Sequence, residues 1–132
     1  MKLATLLILP VFAVLFNIHA ARAEESTPAT PPDAQKVEIV VDSYSFTPDT
    51  IKVTAGRPVE LMLRSVTSLI PHNFTIDDPA SGLSLDVDIP SGEDVTVTFI
   101  PQNKGTFQFY CAKKSILGSH LKKGMTGTLV VE

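Results

Sequence analysis

The chain has 132 residues, 44% of them hydrophobic and 19% charged, which fits one globular domain with an appendage and excludes two large domains. The apolar content and a formal charge of −3 exclude wholesale disorder, and the acidic balance excludes a global basic field for nucleic acid. A single cysteine excludes an internal disulfide framework and any multi-cysteine zinc site.

Lys2, the apolar run Leu3 to Ile18 and the small-residue stretch ending Ala21-Arg22-Ala23 follow the order of a secretory signal peptide. The apolar run holds 16 residues and includes Pro10 and Asn17, short for a membrane span of about 20. Residues 1–23 are therefore expected to be removed before Glu24. No membrane span is then expected, and the mature chain is expected in the periplasm or outside the cell. With Lys2 and Arg22 gone, nine basic residues face fourteen acidic ones. Residues 24–35 hold three prolines and no large apolar side chain, the composition of a linker. The folded domain is expected over 36–132.

From Lys36 onward the chain reads as short strands. Val37 to Val41 is the first. Ile51-Lys52-Val53 alternates and ends at Ala55-Gly56. Pro58 to Leu63 places Val59, Leu61 and Leu63 on one face. Asn73 to Asp77, Leu83 to Ile89 and Val95 to Phe99 alternate in turn, and Thr106 to Tyr110 and Thr126 to Val131 complete the set. Turn residues separate them, as at Thr47-Pro48-Asp49, Asp78-Pro79 and Pro90-Ser91-Gly92. Period-two alternation with this spacing predicts an all-β fold, a Greek-key antiparallel sandwich or barrel. Only 112–123 breaks the pattern, and a short helical turn is expected there. Asp86 and Asp88 fall on one face of their strand, read as the solvent side. Met62 is read as packing.

Export leaves a lone thiol, Cys111, in an oxidising compartment, where it must pair, react or be protected. Metal ligation would protect it. Beyond the leader the chain has two histidines, His72 and His120, and two methionines, Met62 and Met125. Cys111, His120 and Met125 crowd into one stretch, and His72 follows Ile70-Pro71 at the start of a strand. A thiolate, two imidazoles and a weak thioether are the donor set of a blue-copper electron-transfer site, where soft sulfur suits Cu(I) and imidazole suits Cu(II). A structural reading stands beside each: Cys111 as a buried inert thiol, His72 as a satisfied histidine, Met125 as core packing.

The order of Tyr44-Ser45-Phe46-Thr47-Pro48-Asp49, Ile51 to Gly56, Pro71-His72-Asn73-Phe74, Gly105 to Cys111 and Gly124 to Val131 resembles small exported cupredoxins of the plastocyanin and azurin type. The resemblance covers roughly 36–132. It implies one mononuclear type 1 copper ion, with His72, Cys111 and His120 as equatorial ligands and Met125 as the axial ligand. It also implies that Asn73 supports the site by hydrogen bonding near the cysteine sulfur, and that electrons pass through an exposed edge of His120. One departure stands out. The family places the second histidine two to four residues after the cysteine, whereas eight residues separate Cys111 from His120 here.

The expected function is a soluble one-electron carrier, with copper storage, delivery or tolerance as the alternative. A metal-free adhesion sandwich and zinc occupancy are the competing readings. No paired His with a nucleophilic serine, phosphate-binding glycine loop or EF-hand spacing points to an enzyme. Lys113, Lys114, Lys122 and Lys123 are four of the nine basic residues of the mature chain. They suggest a positive rim that steers an acidic redox partner. A monomer is expected.

Overall fold

A computed structural model describes residue 31 and residues 33–132. The leader expected over 1–23 lies outside the described residues, as does most of the stretch 24–35. Two sheets carry the fold. The first orders its strands β2-β1-β4-β7, with β1 Gln35–Asp42, β2 Ser45–Thr47, β4 Val59–Ser65 and β7 Asp94–Phe99. The second orders them β3-β11-β8-β5-β6, with β3 Thr50–Val53, β5 His72–Asp78, β6 Leu83–Ile89, β8 Gly105–Tyr110 and β11 Thr126–Val131. A third, miniature sheet pairs β9 Lys114–Ser115 with β10 Gly118–Ser119.

The alternation read from the sequence is the alternation of burial. Ile39 and Val41 of β1 and Val59, Leu61 and Leu63 of β4 point into one core with Phe74, Ile76, Phe109 and Leu129 of the second sheet. Three aromatic rings knit the two sheets together. Phe46 of β2 meets Phe74 at 5.9 Å and Phe109 at 5.4 Å, both edge-on, and Phe74 stacks on Phe109 at 4.9 Å. Each fully buried ring of this kind contributes about 1.5–3 kcal/mol. Met62 lies on the outward face of β4 and is exposed, so the packing expected of it is not found.

Most pairs are antiparallel as expected, but β1–β4 and β3–β11 are parallel. Alternation reports a half-buried strand and carries no sign of direction. The chain runs β1, turns back as β2, crosses to the second sheet as β3 and returns to the first as β4. That excursion brings β4 alongside β1 in the same sense. The helical character expected in 112–123 is a 3-10 turn at Leu121–Lys123. A second 3-10 turn, Pro79–Ser81, fills the Asp78-Pro79 corner, where the Asp78 carboxylate accepts from the Ser81 N–H at 3.1 Å.

Candidate metal centre

Three neighbouring strands of the second sheet deliver the donor groups to one end of the sandwich. His72 opens β5, Cys111 directly follows β8, and Met125 directly precedes β11. Register holds them together, since Tyr110 lies opposite both Thr75 of β5 and Thr126 of β11. The Cys111 N–H donates to the Met125 carbonyl at 3.0 Å.

His120 comes from the loop that departs from the family spacing, and the structure shows how the extra residues are absorbed. They leave as the β9–β10 hairpin, whose base pairs Ser119 with Lys114, so the chain returns to where it left. The His120 N–H then donates to the Lys113 carbonyl at 3.0 Å. The His120 carbonyl accepts from Lys123 and Met125 at 3.0 and 3.1 Å. Gly124 closes the turn at φ +92°, a conformation that suits glycine. The eight-residue gap thus still brings the two side chains within 3.4 Å of one another.

The Cys111 sulfur lies 3.4 Å from His120 Nδ1 and 3.9 Å from His72 Nδ1. The donor atoms of the three residues all lie within 4.8 Å of one another, and all three residues are buried. Met125 is fully buried beside them. Burial lowers the His72 pKa to about 4, with the charge of His120 adding to the effect and Asp42 opposing it. Burial also lowers the His120 pKa, helped by Lys123 and Lys113. Both imidazoles are therefore neutral at pH 7, with a lone pair free for a metal. His72 Nε2 is buried with no hydrogen-bond partner among the described residues. Such a group costs free energy unless something compensates for the burial. A thiol and two neutral imidazoles held this closely fit a copper ion by the chemistry of the donors.

The groups around the donors are ordered too. The Asn73 N–H points at the Cys111 sulfur from 3.5 Å. The Asn73 side-chain oxygen accepts from the Ala112 N–H at 2.8 Å, and its NH₂ donates to Asp86 at 2.7 Å and Thr75 at 3.1 Å. The chain just after Cys111 is thereby tied to β5 and β6. Asp88, its strand neighbour, pairs with Lys113 at 2.6 Å. The sequence marked Asp86 and Asp88 as solvent-facing, and they are exposed, but alternation could not show that Asn73 and Lys113 reach them. Tyr44 was also missed as a site residue. Its ring meets His120 edge-on at 4.9 Å, and the Lys123 ammonium lies 3.9 Å from the ring centroid. The edge expected of His120 is nearly closed: the residue is 2% exposed, and Tyr44 packs against it.

Comparison with known proteins agrees with this geometry. The chain is 32% identical over 110 residues to plastocyanin of Dryopteris crassirhizoma, covering 74% of this chain and 99% of the fern protein. It is 32% identical over 85 residues to the copper-containing nitrite reductase of Pseudomonas chlororaphis, covering 62% of this chain but 23% of the reductase. The structure of auracyanin B superimposes with a TM-score of 0.63 at 22% identity, covering 79% of this chain and 93% of auracyanin. A family model for the cupredoxin-like domain matches residues 6–131. A two-sheet sandwich with its soft donors gathered at one end is what such a match leads one to look for, and the chain belongs to the cupredoxin-like domain family.

Proposed function

We propose that this protein is a one-electron carrier built on a single type 1 copper ion, held by His72, Cys111 and His120 with Met125 as the weak fourth donor. The observation that carries the reading is the buried thiol with two imidazoles, their donor atoms within 4.8 Å. Copper supplies the redox chemistry when bound, alternating between Cu(I) and Cu(II). The chain supplies a frame that demands little movement. Strand ends fix His72, Cys111 and Met125, the hairpin base fixes His120, and burial excludes water from all four. The Asn73 N–H donates to the Cys111 sulfur at 3.5 Å and helps hold it in place.

The likeness to plastocyanin over nearly its whole length supports a carrier. The nitrite reductase match covers too little of that enzyme to bring its reaction with it. We read the chain as a non-enzyme that exchanges electrons with redox proteins, with an acidic partner meeting the rim of Lys113, Lys114, Lys122 and Lys123. The signal-like residues 1–23 support export, and 24–35 supports a linker ahead of the domain. No helix among the described residues is long and apolar enough to cross a membrane.

The test is the visible and EPR spectrum of the Cu(II)-loaded chain beside Cys111→Ser. An intense thiolate-to-copper band, lost in the variant, is expected. Binding without that band, together with ready transfer of Cu(I) to an acceptor, would replace the carrier with a copper-handling protein. No binding at all would remove the ligand assignment.

A further inference from the structure

Tyr44 occupies an odd position. Asp42 pairs with Ser45, so the β1–β2 hairpin turns on Ser43 and Tyr44 alone. Tyr44 has φ +63° and is the one non-glycine residue with positive φ among the described residues. Two-residue turns usually place Gly, Asn or Asp in that conformation, and a bulky side chain there is a strained exception that its surroundings must hold. The surroundings here are the metal centre itself. The ring lies edge-on to His120 at 4.9 Å and 82°, and edge-on to His72 at 6.4 Å and 90°. The Lys123 ammonium also sits over the ring, 3.9 Å from its centroid. Leu69, Ile70, Ile116 and Leu117 line a groove with Tyr44 and His120. In that groove Tyr44 is half-buried, whereas His120 is 2% exposed.

We infer that Tyr44 is the gatekeeper of the metal centre: its ring closes His120 to small solutes and replaces the imidazole edge as the surface a docked redox protein meets. The inference rests on reading His120 as a metal-binding side chain, but the closure is measurable without metal. The tyrosine itself is neither oxidised nor deprotonated. One electron leaves the centre for the partner's one-electron acceptor, and no bond forms or breaks at the phenol.

The experiment treats the metal-free chain with diethyl pyrocarbonate, which acylates neutral imidazole. Cleavage at the lysines puts His120 and His72 on different peptides, so mass spectrometry follows each separately. Tyr44→Gly removes the ring while suiting the positive φ, so the turn is kept. His120 should be modified at least about tenfold faster in Tyr44→Gly and within about twofold of the original rate in Tyr44→Phe. Equal rates in the original chain and Tyr44→Gly overturn the inference. If circular dichroism shows that Tyr44→Gly does not fold, Lys123→Ala is the second variant. Lifting the cation from the ring should give a smaller acceleration, and no acceleration overturns the inference. In the copper-loaded chain, Cu(I) extraction by a bicinchoninate chelator should follow the same order of variants. An original chain with no intense visible band refutes the copper reading and leaves the test of closure standing.

Discussion

Asn73 illustrates how much one side chain fixes. Its oxygen, its amide nitrogen and its backbone N–H serve Ala112, the Thr75–Asp86 pair and the Cys111 sulfur respectively. Asn73→Ala leaves the Ala112 N–H without its acceptor, which should cost about 1–3 kcal/mol in urea unfolding of the metal-free chain. Metal affinity should fall roughly 10–100-fold, the usual effect of losing a group that orients ligands. Asp86→Ala should do less, because Thr75 remains and Asp86 is exposed. His72 carries the pH dependence. Its pKa is about 4 in the folded chain against 6.5 ordinarily, so the unfolded chain takes up the proton first as pH falls. Stability of the metal-free protein is therefore complete above pH 6.5 and drains away between 6.5 and about 4, with His120 acting in the same direction. Thermal melts across that range check it, and a constant Tm would contradict the neutral, buried state of His72.

At the scale of elements, the β9–β10 hairpin separates loop length from site geometry. Its tip, Ile116 and Leu117, is fully or largely exposed and outside the core. Replacing both with Ser should change stability by no more than about 0.5 kcal/mol and leave the visible band in place. A lost band would show that the tip also holds His120. Gly127 in β11 behaves oppositely. A Cβ there would collide with the Phe109 ring and the Asp49 carbonyl. Thr128 donates its N–H to that same carbonyl at 2.7 Å, so the obstruction sits on hydrogen-bonded backbone. Gly127→Ala should cost about 1–3 kcal/mol or more by denaturant titration. Strands of six to eight residues were legible because their alternation repeats. β2, β9 and β10 have three, two and two residues, too few to display a period.

At the scale of the whole molecule, charge is unevenly spread: an acidic protein gathers four lysines in the loop around its metal centre. Two of them have structural duties as well, Lys113 on Asp88 and Lys123 on Tyr44. Reversing Lys114 and Lys122 to Glu therefore tests steering with less disturbance to the site. The rate of association with an acidic redox partner should fall with the reversal, and in the original chain should fall with added salt, since screening acts beyond about 8 Å at physiological ionic strength. A rate indifferent to both would remove the rim from the account. The sequence by itself determined the sandwich, because alternation depends on each strand's own residues. It also determined the donor types, because His72, Cys111, His120 and Met125 were nearly the whole stock of soft and imidazole donors after residue 23. Tertiary structure alone decided the parallel pairings, since strand direction depends on where the chain crosses between sheets. It alone decided that the long gap closes through a hairpin. And it alone set Tyr44 against His120, because a contact across 75 intervening positions leaves no local pattern to read.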